Sequence, residues 1–228
     1  MTSPSARTRN LLRPAAPLRI LGPSAARAWT GSVLVCGALS VVAIGAALAR
    51  GQSPISIPLA DVWLPLPDTF GGIIGHGLSL IVGVALAVLT IKATRHFVRR
   101  WGWARALHAD LRPAIRGADS ITILILGIAS ALGEELFFRG LLTSTFGLIA
   151  SSLAFGLLHQ MRGRVRWVWA GWATVMGLLF GALFLATGSL LGALVAHAAI
   201  NVTNLKFLRD TDVETPKRRH LGGLLGRG

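Results

Sequence analysis

Three ionisable residues fall within six positions of an otherwise apolar run: Glu134, Glu135 and Arg139, in "SALGEELFFRGLL" at residues 130–142. Two further polar residues and a carboxamide follow in equally apolar surroundings, His159 in "FGLLH" and His197 with Asn201 in "HAAIN". A glutamate beside an imidazole can take a proton from water and so act as a general base. Imidazole and carboxamide N–H groups can donate to the oxyanion that develops when a carbonyl is attacked. These are the components of hydrolysis by an activated water. There is no HExxH, whose two His at i, i+4 would supply zinc ligands directly, and no GxSxG elbow, Ser–Lys or Asp-pair motif.

The spacing says which side chains meet. Glu135 and Arg139 stand at i, i+4 with the acid first, the favourable order for a helical ion pair. Glu134 then remains as a second carboxylate about 100° round the helix. Phe155 and His159 share a face, as do His197 and Asn201. Taken singly, the acidic pair with Arg139 also fits a structural lock between two helices, and each histidine fits a satisfied core residue.

The elements that must position these residues are membrane helices. Hydrophobic residues make up 53% of the 228 and charged residues 14%, against about 25% charged in soluble domains. The chain is expected to be one all-α domain, a polytopic transmembrane helical bundle. Long uncharged runs place six spanning helices at 30–49, 69–91, 120–144, 147–161, 167–186 and 189–205. Only 15 residues separate Arg139 from Phe155, so the fourth helix must be short or tilted.

The net charge of +14 suggests nucleic acid until the basic residues are located. They lie between apolar runs, not along one face, so no nucleic-acid partner is expected. With both termini inside, all but Arg50 and Arg139 fall on one side, which is the cytoplasmic side by the positive-inside rule. The organisation expected is a basic, disordered leader at 1–28, two spans with an interfacial amphipathic segment at 29–117, a four-helix catalytic core at 118–206, and a basic cytoplasmic tail at 207–228. "RRWGWARALHADLRPAIRG", residues 99–117, mixes Trp and Leu with Arg and should lie on the inner leaflet as a helix. "ALA" at 47–49 resembles a cleavage site, but the apolar run and the basic leader before it are too long for a usual signal peptide, so an uncleaved anchor is expected. Cys36 is the single cysteine, which excludes an intramolecular disulfide and leaves a cysteine-based zinc site or thiol nucleophile without support.

Depth brings the polar residues to one level. With outer turns near Thr145 and Gly188, Glu134 lies about 16 Å down its helix and His159 about 18 Å. His197 and Asn201 lie about 14 and 20 Å down theirs. Side chains from three helices thus share the midplane, where an unpaired ionisable group costs roughly 2.5–3.5 kcal/mol. A polar site among the last four helices accounts for that cost, with water entering from the basic side, since Arg162 is three residues from His159.

At these residues the sequence resembles the CPBP intramembrane proteases, which include type II CAAX prenyl endopeptidases and bacteriocin-processing and immunity proteins. The family pattern EExxxR, FxxxH, HxxxN/D reads here "EELFFRG", "FGLLH" and "HAAIN", in order over about 90 residues. The resemblance implies that Glu134 with His159 activates water, that His197 and Asn201 stabilise the oxyanion, and that Glu135 and Arg139, with Phe155, support the site. It implies a peptide or lipidated protein substrate and a setting among membrane lipids, in a bacterial plasma membrane. Glu134, His159 and His197 could hold one Zn2+ or simply hydrogen-bond a water; the cofactor, like the oligomeric state, stays open at the level of sequence. Two other functions remain in view, a non-catalytic immunity or scaffold protein and a proton-coupled transporter.

Overall fold

The computed structural model describes residues 12–14, 23–64, 72–161, 163 and 165–213. Their architecture is a helical bundle: α1 Pro23–Ala49, α2 Ile73–Arg100, α3 Gly102–Leu111, α4 Ser120–Glu134, α5 Ser144–Phe146, α6 Leu148–Leu158, α7 Arg166–Thr187 and α8 Leu191–Asp210. Two short strands, β1 Leu12–Pro14 and β2 Thr211–Val213, pair antiparallel and bring the two ends of the described chain together.

Five helical stretches among the described residues are long and apolar enough to cross a membrane: Ala28–Ala49, Ile73–Arg100, Ser120–Phe146, Arg166–Thr187 and Leu191–Asp210. The sixth expected span is shorter than a crossing. Helix α6 has 11 residues, about 16 Å at 1.5 Å each, half of a hydrocarbon core of about 30 Å. It stops at Leu158, not at residue 161, and the chain turns back at His159. The two turns expected near Thr145 and Gly188 fall at Gly147 (φ 84°) and Gly188 (φ 70°), conformations that glycine adopts without steric cost.

Two boundaries move for one reason. Helix α2 runs nine residues past 91, and α1 begins at Pro23, because a run of charge marks the membrane surface without ending a helix. Part of the expected leader is therefore structured, in β1 and in the start of α1, and the rest of it lies outside the described residues. So do 65–68 of the first outer loop and 214–228 of the tail.

Small residues let the helices close. A Cβ on Gly192 of α8 would land on the carbonyl oxygen of Ser79 in α2, and one on Gly133 would meet the Cys36 carbonyl of α1. The hydroxyl of Ser79 donates to the Ser189 carbonyl (2.9 Å) and accepts from the Gly192 N–H (3.0 Å). Close backbone approach through glycine and serine is how membrane helices gain packing energy without a hydrophobic driving force. Gly192→Ala should therefore cost roughly 1–3 kcal/mol by overpacking, read as a lower midpoint of thermal unfolding in detergent.

The arginine-rich end is capped by α3 and the 3-10 turn Arg112–Ala114, where the sequence placed an interfacial helix. Trp101 and Trp103 stack with centroids 5.7 Å apart and stay partly exposed, suited to a membrane–water boundary. Trp29 of α1 donates from Nε1 to the Ala114 carbonyl (3.0 Å), and buried His108 of α3 donates from Nε2 to the Thr211 carbonyl (3.0 Å).

Burial lowers the His108 pKa from its ordinary 6.5, and the Arg112 and Arg95 cations lower it further against the raising effects of that hydrogen bond and of Asp212. The linkage follows: a histidine held neutral in the fold contributes stability that is complete above 6.5 and is lost as pH falls through the folded value. Unfolding midpoints should fall on acidification below pH 6.5, and His108→Gln, which keeps a donor but cannot titrate, should flatten that slope.

Candidate active site

Helix α4 presents Glu134 at its last residue, after which the backbone widens into a π-helical segment, Glu135–Thr143. Such wide turns are frequent at functional sites. The expected ion pair is present inside this segment: Arg139 Nη1 donates to Glu135 Oε1 at 2.8 Å, and the two side chains are 1% and 0% exposed.

The same Glu135 oxygen takes a second donor, His197 Nδ1 from α8 at 2.7 Å. Arg139 Nε and Nη2 have no hydrogen-bond partner among the described residues. Its guanidinium lies instead against aromatic faces, 4.3 Å from the Phe155 centroid and 5.4 Å from that of Phe180, where cation–π attraction offsets lost hydration.

His159 caps α6. Its Nδ1 lies 2.7 Å from the Phe155 carbonyl oxygen, which can only accept, so Nδ1 carries the proton. In His197 the Glu135 carboxylate likewise claims Nδ1–H. Both rings turn Nε2 to one atom: His159 Nε2 and His197 Nε2 are each 3.6 Å from Glu134 Oε2. That oxygen is buried and has no hydrogen-bond partner among the described residues. With both rings in the neutral state, three acceptors face one gap too wide for direct hydrogen bonds. Acceptors gathered in this way need a donor or a cation among them.

Asn201 completes the group. Its Nδ2 donates to Ser130 Oγ (2.9 Å), which donates in turn to the Gly127 carbonyl (3.2 Å). One Nδ2–H is thereby fixed and the other left over. Ser130 and Phe180 were not singled out in the sequence. Ser130 stands one turn before Glu134 on the same face, a spacing that could have marked it. Phe180 stacks on His197 at 5.3 Å and carries no local signal.

Glu134, His159, His197, Asn201 and Ser130 line a cavity of about 470 Å³. It continues along α8 past Asn204 to Leu208, and reaches Trp29, Trp103 and Leu107 at the arginine-rich end. Its lining is mostly apolar and includes none of residues 143–148 or 187–191, around the turns at Gly147 and Gly188.

A carboxylate oxygen and two imidazoles, each with its other nitrogen engaged, are donors of a kind that can bind Zn2+. Among the described residues, however, no group of three or more His, Cys, Asp or Glu side chains is arranged to hold a metal ion. The arrangement as it stands fits a water between Glu134 and the two rings.

Two comparisons with known proteins give a match. Residues 117–203 match the family described as type II CAAX prenyl endopeptidase Rce1-like. The uncharacterized protein YpbD of Bacillus subtilis (strain 168) is 33% identical over 122 residues, which cover 52% of this chain and 63% of that protein. The chain thus matches less than two thirds of that relative's length. No solved structure matches it. Residues 117–203, which carry every member of the cluster, are thus similar to the Rce1-like family, and the apolar helices around them mark an integral membrane protein.

Proposed function

We propose that this protein is an intramembrane endopeptidase that hydrolyses a peptide bond with a water held by Glu134, His159 and His197. The observation that carries the reading is the convergence of three acceptors on one buried gap. A water there donates to Glu134 Oε2 and to an imidazole Nε2, and its lone pair is left for a carbonyl carbon. As the water attacks, Glu134 takes a proton, and the carboxyl so formed delivers it to the departing amine. The spare Nδ2–H of Asn201 faces the carbonyl oxygen as it becomes an oxyanion, as does an Nε2–H of His197 when that ring has taken a proton from solvent before the attack. Glu135 fixes the His197 ring, and Arg139 neutralises Glu135.

The substrate is a peptide or lipidated protein that reaches the site from the arginine-rich end, which faces the cytoplasm with both termini in a bacterial plasma membrane. The basic segments at that end and the cavity running toward it support this orientation.

The test incubates purified wild type with a library of plain and lipidated C-terminal peptides, with and without a chelator, and reads products by mass spectrometry. Cleavage is expected with wild type and not with Glu134→Gln. Equal products from the two proteins, or none from wild type, would overturn the reading. Loss of cleavage with the chelator would assign a metal to the gap, and its persistence a water alone.

A further inference from the structure

Arg95, toward the arginine-rich end of α2, forms no ion pair with an acid among the described residues. Its Nη1 donates to Asn204 Oδ1 (2.8 Å), its Nη2 to the Thr203 carbonyl (3.0 Å), and its Cζ sits 3.7 Å over the Phe207 ring. A half-buried guanidinium without a carboxylate partner is costly, and here it fixes one thing above all. It turns the Asn204 carboxamide so that the oxygen is used and Nδ2 is left without a partner among the described residues. Asn204 lines the cavity. It follows His197 by seven residues and Asn201 by three, so the three side chains form a column along one face of α8. Seven residues of helix rise about 10 Å, the length of about three residues of extended peptide.

We propose that Asn204, oriented by Arg95, is a substrate subsite that takes an acyl oxygen about three residues from the scissile bond. That oxygen is a main-chain carbonyl or a free terminal carboxylate, and the proposal rests on the peptidase reading of the same cavity. Two N–H groups backed by an uncompensated cation suit either acceptor and favour the charged one. Along a mostly apolar wall, such a donor sets register: it aligns a bound peptide against Glu134 without contacting the reacting atoms.

The test uses full-length Glu134→Gln protein in detergent and fluorescent peptides one to six residues long, each as the free acid and as the amide. Binding is read by anisotropy. Affinity should rise about tenfold at the length that first brings an acyl oxygen to Asn204, the size of one charge-assisted hydrogen bond.

Asn204→Leu and Asn204→Asp should remove that step while shorter peptides bind as before. Arg95→Lys should keep part of it, and Arg95→Gln should erase any preference for acid over amide. A step in the acid series alone identifies a carboxylate, and a step in both identifies a carbonyl. A series without a step, or a step that survives both Asn204 variants, overturns the proposal, as does equal weakening at every length, which marks a packing role. A step that depends on Asn204, found with a wild type that cleaves nothing, keeps the subsite and rejects the peptidase.

Discussion

Glu134→Gln is expected to lower the rate of peptide hydrolysis about 10²–10⁴-fold, the usual contribution of a positioned general base, while raising the midpoint of thermal unfolding. The two effects share one cause. With both rings neutral, the carboxylate oxygen and two imidazole lone pairs crowd a gap of 3.6 Å contacts with no donor of their own. A glutamine of the same shape brings an NH2 group to that gap and satisfies them, but it can no longer accept the water's proton. Activity and stability should thus move in opposite directions, measured as initial rates and unfolding midpoints on one preparation. A variant that loses stability together with activity would show that Glu134 supports the bundle and does not serve the water.

Arg139→Ala should act the other way, by destroying the fold. Glu135 is 0% exposed, and removing its guanidinium partner leaves a carboxylate charge with one imidazole donor. Breaking a buried pair in this way costs about 3–5 kcal/mol. The aromatic faces of Phe155 and Phe180 lose their cation as well. The expected result is little or no folded protein in the membrane fraction. Arg139→Met combined with Glu135→Gln removes both charges at similar volume and keeps an acceptor for His197 Nδ1. Yield and thermal midpoint should then recover most of the loss. Recovery in the double variant and collapse in the single one identify a stranded charge; equal collapse in both would mean that the arginine's shape, not its charge, holds the helices.

What the sequence made legible was local. The i, i+4 spacing of Glu135 and Arg139 and of Phe155 and His159 follows from helical geometry, so those contacts could be read before any fold. Counting residues between Arg139 and Phe155 exposed a short fourth helix, because the rise per residue is fixed. Helix ends were less legible: α2 continues to Arg100 since charged residues favour helix at the membrane surface as well as water does.

The long-range sharing was not legible at all. Glu135 was read as a partner of Arg139 alone, and nothing near residue 135 says that His197, 62 positions on, claims the same oxygen. The bond from Asn201 to Ser130 spans 71 positions and depends on how α4 and α8 cross, which close contact at Gly127 and Val202 sets. The placement of Phe180 against both Arg139 and His197 is likewise a matter of packing, and sequence periodicity marks it only as core.

Helix α6 ends halfway, and its last turn is where His159 hangs. A column of the bundle that is half helix gives the molecule a direction: the cavity reaches the arginine-rich rim and none of its lining comes from the turns at Gly147 and Gly188. Under the proposed peptidase reading, chemistry in such a chamber would be vectorial: peptide and water would enter and both fragments leave by one door, so the proton balance of each cut would be settled in one compartment. In vesicles carrying the protein in both orientations, an impermeant peptide added outside should then be cut only by the molecules whose arginine-rich rim faces it.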